Sequence, residues 1–269
     1  MKIAENRFKT AIRNGDKQLG VWSSLCSNIV ADIISSAQFD WVLIDMEHSA
    51  NDVASVLQQL QVHAAHGTHP VVRPPWNEPV IVKRLLDMGA FSLMFPMVQT
   101  AAEAAAAVSA CRYPPHGTRG VSLNHRGNRF GAARDDYLRE NETQIAVLVQ
   151  IETPEALANL EDIAAVEGVD GVFFGPADLS ANMGLLGQPG HPEVTAAIED
   201  GVARLARAGV PSGILVGDSD QAKFWFAKGV CFVAAGSDQA ILANGLRKLQ
   251  VAAMPSEAMK SANSQANRT

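Results

Sequence analysis

Two acidic residues stand just after short apolar runs and could together hold a metal ion. Glu152 directly follows the run 145–151, and Asp178 comes shortly after the run 171–175. If these runs are neighbouring parallel strands, about 4.8 Å apart, both carboxylates converge on one hard divalent cation. Such a cation would chelate a 2-keto acid and stabilise the enolate formed when a carbon–carbon bond breaks. The alternative interpretation is a pair of carboxylates that neutralise arginines at the rim of the sheet.

Charged side chains after two other runs could move a proton and stabilise an anion. Asp45, Glu47 and His48 end one run, and Arg73 ends the next. We predict that His48 moves a proton directly or through a water, with a carboxylate orienting its ring, and we count Asp45 as catalytic. Arg73 is expected to place a fixed positive charge beside the enolate oxygen. The structural role that histidines usually have is assigned to His63, His66, His69, His116, His125 and His191.

The predicted substrate contacts all lie at or just beyond the ends of apolar runs. They are Trp22, Gln150, Gly175, Pro176, Ala177, Asp178 and Leu215. A short helix is expected from Gly175 to Met183, and its free backbone N–H groups could bind the carboxylate of a keto acid. Trp22 is interpreted either as a wall of the pocket or as a buried core residue.

Several other chemistries lack the residues they need. A Schiff-base aldolase requires a lysine inside the site, yet none of the lysines falls on a predicted strand. No glycine-rich phosphate loop of the dinucleotide or Walker type is present, which argues against nicotinamide and nucleotide chemistry. The three cysteines are widely separated and fit neither a disulfide framework nor a Cys-x-x-Cys site.

Charge and hydropathy exclude two classes of partner. The chain has 22 Lys and Arg against 28 Asp and Glu, a net charge of −6, and no long basic run. A nucleic-acid partner is therefore not expected. The first ten residues lack the apolar stretch of a secretory signal, and no segment approaches the length of a membrane span. We expect a cytoplasmic protein without a membrane partner.

Short β-branched runs alternate with longer helical stretches along most of the chain, the pattern of parallel strands joined by helices. The predicted strands are residues 19–22, 41–45, 71–73, 92–96, 145–151, 171–175, 212–215 and 231–235. Helices are predicted at 52–65, 79–88 and 154–166. Eight such units in 269 residues predict one (β/α)₈ TIM barrel over residues 1–253. The tail, residues 254–269, is polar and without apolar periodicity, so it is predicted to be disordered.

The connection 113–142 is too long for a simple barrel unit and contains five arginines. Long loops in compact domains are usually lids, interface arms or disordered segments. A solvated or subunit-contacting loop and a loop that covers the substrate remain equally open.

The segments 39–48, 71–74, 149–153 and 171–180 together resemble the HpcH/HpaI aldolase family, and the resemblance extends over nearly the whole chain except the tail. It implies a class II aldolase that uses pyruvate or hydroxypyruvate and Mg²⁺, Mn²⁺ or Co²⁺. By resemblance, Glu152 and Asp178 are the metal ligands, His48 is the base acting through water, Arg73 stabilises the enolate and Gln150 adjoins the metal site.

The resemblance also implies features outside the metal site. Asp87 matches an aspartate that approaches the histidine across a subunit contact. The family is typically hexameric, a trimer of dimers with a swapped terminal helix, which makes the region 232–250 a predicted interface. The segments 23–28 and 122–130 differ from familiar members and are interpreted as regions on the side of the acceptor aldehyde.

Two alternatives to an aldolase remain open on the sequence. A metal-dependent oxaloacetate decarboxylase would use the same enolate and need no acceptor aldehyde. A keto-acid-binding barrel without turnover is the other, although the complete set Arg73, His48, Glu152 and Asp178 argues against it.

Overall fold

Apolar residues fill both faces of eight short strands, as expected for a parallel sheet covered by helices. The computed structural model describes residues 2–254. Each strand pairs in parallel with its neighbour in sequence, and the last pairs with the first to close a barrel. The strands are β1 (Gln18–Ser23), β2 (Trp41–Asp45), β3 (His69–Arg73), β4 (Ser92–Phe95), β5 (Ala146–Ile151), β6 (Gly171–Phe174), β7 (Ser212–Val216) and β8 (Phe232–Ser237). The predicted (β/α)₈ barrel is confirmed.

Helices precede the barrel, connect its strands and follow the last strand. They are α1 (Arg7–Arg13), α2 (Asn28–Ser36), α3 (Val53–His63), α4 (Pro79–Asp87), α5 (Ala101–Cys111), α6 (Arg134–Gln144), α7 (Pro154–Ala158), α8 (Leu160–Ala164), α9 (Pro176–Asn182), α10 (Pro192–Ala208), α11 (Ser219–Ala227) and α12 (Asp238–Ala253). Many begin at a side-chain cap; Asp52, for example, accepts the backbone N–H of Ser55 at the start of α3.

Two local predictions were wrong. The helix predicted at 154–166 is two helices that are separated at Asn159. The side chain of Asn159 donates to the carbonyl of Gln99, outside the helix. The connection 113–142 is not simply a loop, since it contains a 3₁₀ turn (Arg126–Asn128) and most of α6. The predicted disordered tail lies outside the described residues, apart from Met254.

Aromatic side chains fill the amino-terminal half of the barrel interior. Trp41, Phe173 and Phe232 pack there against one another. Room for them exists because residue 20 is a glycine: a Cβ on Gly20 would lie 2.3 Å from the Trp41 ring. Helix α1 places Phe8 against Trp41 and Phe232. With this end filled, polar chemistry is left to the carboxyl ends of the strands.

Helix length and apolarity also bear on a membrane location. Within residues 2–254, no helix has the length and apolar character that crossing a bilayer requires.

Candidate active site

Polar side chains gather where β2, β3 and β5 end, although strands in a helix-covered barrel are apolar elsewhere. Asp45 is in register with Arg73 on the neighbouring strand. Both side chains are buried, as are Gln150 and Glu152 at the end of β5. Polar groups at this depth are costly unless they are paired or bind a ligand.

Arg73 is held by four neighbours, of which Gln150 accepts a longer hydrogen bond from Nη1 over 3.4 Å. Its Nε and Nη2 donate to the two carboxylate oxygens of Asp45, each over 2.9 Å. Its Nη1 lies 2.7 Å from Glu47 Oε2, and its guanidinium stacks 4.8 Å from the centre of the Trp22 ring. Burial alone would raise the pKa of Asp45, but the hydrogen bonds and charge of Arg73 outweigh it and lower that pKa. The pair is therefore ionised, and the planar guanidinium is fixed in one orientation.

Glu152 is 2% exposed and is held by neutral donors instead of a cation. Its Oε1 accepts the backbone N–H of Met97 over 2.7 Å, and its Oε2 accepts Nε2 of Gln150. Burial is the main cause that raises the pKa of Glu152 to about 7, and the carboxylates of Asp178 and Glu47 contribute to this rise, against the effect of those hydrogen bonds. The protein has thus placed a carboxylate where negative charge is unfavourable without a positive partner.

Close packing around Glu152 explains the glycine that follows β6. A Cβ on Gly175 would lie 2.5 Å from Glu152 Oε2 and 2.9 Å from Gln150 Nε2. Gly175 also precedes α9, which starts at Pro176 and has no side-chain cap at its amino end. The first turn of this short helix contains Asp178, which is partly exposed.

Electrostatic coupling links Asp178 to the buried site. Its carboxylate raises the pKa of both Glu152 and Glu47, so the three acidic groups lie within reach of one another's charge. No salt bridge to Glu152 or Asp178 forms within residues 2–254. The alternative interpretation, in which these carboxylates neutralise arginines, therefore fits Asp45 and Glu47 but not the predicted metal pair.

The donor set fits a hard divalent cation. Carboxylate oxygens are the ligands that Mg²⁺ and Mn²⁺ prefer, and Mg²⁺ usually takes one or two carboxylates and completes its shell with water or substrate. Within the described part of the chain, no group of three or more His, Cys, Asp or Glu side chains has metal-binding geometry. The predicted pair, Glu152 and Asp178, would supply the one or two carboxylates that Mg²⁺ usually takes.

His48 differs from the other site residues because its side chain is 65% exposed. Its Nε2 lies 3.8 Å from Glu47 Oε1, while Asp45 accepts the backbone N–H groups of Glu47 and His48. The carboxylate beside the ring is thus Glu47, and Asp45 shapes the loop backbone. The prediction that a carboxylate orients the ring is not met by a hydrogen bond within this chain, because Glu47 is 3.8 Å away.

Of the remaining predicted site residues, Trp22 and Leu215 lie at the barrel interior, whereas Asp87 lies away from the site. Trp22 is buried and donates from Nε1 to Asp45 over 3.2 Å, so it belongs to both the core and the site. Leu215, on β7, packs against the barrel interior. Asp87 lies apart at the end of α4, where it pairs with Arg119 over 2.7 Å. A single chain does not bring Asp87 to His48.

A second polar region, a cavity of about 1180 Å³, lies at the opposite end of the barrel. Its lining includes Phe8 and the starts of β1 and β3. None of the individually predicted site residues borders it, so volume alone would have pointed away from the clustered acidic groups. The segment 122–130, predicted on the acceptor side, does line it, and within a single chain that segment lies at this end of the barrel instead.

Two residues at the site were not predicted as members. Glu47 could have been chosen from its position between Asp45 and His48. Met97 could not, because it acts through its backbone N–H and has a left-handed conformation, φ 52°, that a non-glycine residue rarely adopts.

Comparison with known proteins finds relatives over most of the chain. A family model described as HpcH/HpaI aldolase/citrate lyase matches residues 18–245. The chain belongs to this family. The predicted enzyme class, a carbon–carbon lyase of the class II aldolase type, is confirmed by membership of the HpcH/HpaI family.

Individual HpcH/HpaI relatives match nearly end to end. A pyruvate aldolase of Rhizobium etli is 52% identical over 93% of this chain and 98% of its own length. A 4-hydroxy-2-oxo-heptane-1,7-dioate aldolase of Klebsiella pneumoniae is 51% identical over 91% of this chain and 92% of its own. The crystal structure of a family member from Burkholderia cenocepacia has a TM-score of 0.89 and 40% identity, and covers 93% of this chain and 100% of that one.

Proposed function

We propose that this chain catalyses reversible aldol cleavage of a 4-hydroxy-2-keto acid, with pyruvate or hydroxypyruvate as the donor product. Glu152 and Asp178 hold a divalent cation, Mg²⁺, Mn²⁺ or Co²⁺. The observation that carries the proposal is the buried Glu152, whose pKa is raised to about 7 beside a second carboxylate and which pairs with no cation of the protein. The activities named for the relatives from Rhizobium etli and Klebsiella pneumoniae support the substrate class.

When bound, the cation supplies Lewis-acid polarisation of the keto oxygen of the substrate. Arg73 adds a fixed positive charge, since Asp45 and Trp22 hold its guanidinium in one plane. Charge that develops on the enolate oxygen is therefore met by a preorganised donor. Gln150 connects Glu152 with Arg73. Its Nε2 donates to Glu152, and its Oε1 accepts a hydrogen bond from Arg73 Nη1 over 3.4 Å.

His48 acts as the base that takes the proton from the 4-hydroxyl group as the carbon–carbon bond breaks. The electron pair of that bond moves into the enolate, and an aldehyde leaves. The enolate then takes the proton from His48 at C3, which gives the 2-keto acid and restores the neutral base. In the reverse direction His48 returns the proton to the new hydroxyl group. Its exposed ring suits a group that exchanges protons with substrate and water.

The start of α9 receives the substrate carboxylate. Because Gly175 has no side chain, the backbone at the start of α9 packs directly against Glu152. No side chain caps the first turn, Pro176, Ala177 and Asp178. Trp22 and Leu215 form apolar walls on other strands of the barrel.

We also propose a cytoplasmic homo-hexamer, a trimer of dimers. Helix α12 supports an assembly because Leu242, Leu246 and Leu249 form an exposed apolar face, and Ile241 and Val251 are exposed on its other sides. Asp87 would reach His48 of another subunit, since it lies far from its own. These features resemble an interface more than the surface of a monomer.

Exchange of the C3 protons of pyruvate with deuterated water tests the enolate chemistry without knowledge of the acceptor aldehyde. We expect exchange that depends on a divalent cation and is lost in Glu152→Ala. Absence of exchange in the metal-loaded wild-type protein would indicate a binding barrel without turnover. Release of pyruvate from oxaloacetate faster than any aldol cleavage would assign the site to decarboxylation.

A further inference from the structure

Gln59 occupies the middle of α3 and is fully buried, with 0% exposure. Its Nε2 donates to Asn51 Oδ1 over 2.7 Å and to the carbonyl of Ser55 over 3.2 Å. Its Oε1 accepts the hydroxyl of Ser23 over 3.1 Å. An apolar residue would fill this position without the cost of desolvating an amide. A buried amide with all its bonds satisfied instead fixes the segments that it joins.

One end of this network holds the loop that carries His48. The side chain of Asn51 donates to the carbonyl of Asp45 over 2.8 Å, and the hydroxyl of Ser49 donates to the same carbonyl. The loop from the end of β2 to the start of α3 is therefore folded back on its own first residue. Gln59 holds Asn51 in the orientation that this fold requires.

The other end holds the segment that follows β1. Asp238, the first residue of α12, accepts the backbone N–H groups of Ser24 over 2.9 Å and Leu25 over 3.0 Å. The hydroxyl of Ser23, the residue bonded to Gln59, lies 3.4 Å from Asp238 Oδ2. The network thus runs from α12 through the end of β1 and α3 to the loop after β2.

This connection matters because contacts of the His48 ring are too few to position it. The ring is mostly exposed, and its nearest charged neighbour, Glu47, is 3.8 Å away. The position of the ring therefore depends on the backbone of its loop. That backbone is fixed by Asn51, and Asn51 is fixed by Gln59.

We propose that Gln59 is a positioning residue for the aldol reaction. It sets the distance between the His48 loop and the segment after β1, so that the base and that wall of the pocket stay aligned. The inference rests on the proposed role of His48 as the base. It adds a residue that touches neither substrate nor cation and acts through Asn51 and Ser23.

Gln59→Met tests this role, because methionine has similar length and bulk but makes none of the three hydrogen bonds. Displacement of a catalytic group by about 1 Å can lower turnover about 100-fold. We expect kcat for retro-aldol cleavage to fall between about 10-fold and 100-fold. The affinity for Mn²⁺ and the KM for the keto acid should stay within about twofold of wild type, since Glu152, Asp178 and Arg73 are untouched.

Ser35→Ala is the matched control. Ser35 lies on α2, and the substitution removes its buried 2.8 Å hydrogen bond to His63 at the carboxyl end of α3. We expect a similar loss of thermal stability with kcat unchanged. An equal loss of kcat in this control would mean that α3 acts only through general stability, and would overturn the proposal.

Ser23→Ala probes the network from its other end and also serves if Gln59→Met does not fold. We expect Ser23→Ala to lower kcat in the same direction, and the double variant to be no slower than the more severe single variant. If Gln59→Met or Ser23→Ala has the kcat of wild type while Glu152→Ala is inactive, the positioning role of Gln59 is refuted but the proposed function is not. A wild-type protein without metal-dependent turnover refutes the proposed function, and this inference with it.

Discussion

Arg73 and Asp45 face each other across β3 and β2 and share two parallel hydrogen bonds, each 2.9 Å long. The pair is buried, and the indole of Trp22 contacts both partners. A bidentate pair of this kind fixes the plane of the guanidinium as well as its charge. The geometry explains why an arginine is needed here instead of any cation.

Arg73→Lys keeps the charge but loses the planar pair of donors. We expect kcat to fall at least about 100-fold, the loss typical of removing a preorganised donor to a developing anion. Mn²⁺ affinity should change little, because the proposed ligands follow β5 and lie on α9. The control is Arg84→Lys, at an exposed position of α4. Near-wild-type kcat in Arg73→Lys would show that only charge matters at this position.

Glu152 predicts how the metal-free protein responds to pH. Its pKa is about 7 when folded, against an ordinary value of 4.5. The folded state therefore holds a proton that the unfolded state has lost between these values, and stability falls as pH rises from about 4.5 to 7. The size of the effect is about 3 kcal/mol. Thermal unfolding of metal-free wild type and Glu152→Gln across this range measures it.

The variant isolates Glu152 from other groups that titrate nearby. Burial lowers the pKa of His63 and of His69 to about 4, which acts in the opposite direction by destabilising the fold at low pH. Both histidines remain in Glu152→Gln, so the difference between the two curves reports Glu152. Parallel curves would show that its pKa is not raised. Added Mn²⁺ should also stabilise wild type more at pH 7.5 than at pH 5.5, because protons and cation compete.

Gly175→Ala should disturb the metal site without changing any ligand. The new Cβ would lie 2.5 Å from Glu152 Oε2, so that carboxylate must move. We expect the affinity for Mn²⁺ to fall about 10-fold or more, within the range known for changes around metal ligands. Gly190→Ala is the control, since a Cβ there meets nothing within 4 Å. Equal Mn²⁺ affinity in the two variants would contradict the close packing around Glu152.

Helix α12 should take part in subunit assembly. Leu246→Glu places a charge in the middle of its exposed apolar face. We expect a smaller species in size-exclusion chromatography with light scattering, because a buried unpaired charge is strongly unfavourable at an interface. An unchanged molar mass would show that this face of α12 does not hold subunits together.

The sequence predicts the barrel well because buried parallel strands are apolar throughout. Each such run is a local signal, and polar residues at its end stand out, as Asp45, Arg73 and Glu152 do. Helix α6 was missed because it is polar nearly all round, with only Tyr137 and Asn141 buried, so it has no apolar period.

Other parts of the site depend on contacts that no local pattern encodes. The N–H of Met97 reaches Glu152 only because β4 and β5 are neighbours and the chain turns sharply after β4. The role of Gln59 follows from partners on β1 and the loop after β2, far apart in sequence. Such residues can be found only once the strands are arranged in space.

The most direct test of the account is the position of Mn²⁺ in crystals grown with pyruvate, located by anomalous scattering. We expect one Mn²⁺ about 2.1 Å from carboxylate oxygens of both Glu152 and Asp178, with the keto and carboxylate oxygens of pyruvate on the same ion and Arg73 beside the keto oxygen. Pyruvate bound with no ion between these two carboxylates, or Mn²⁺ held elsewhere on the chain, would contradict it.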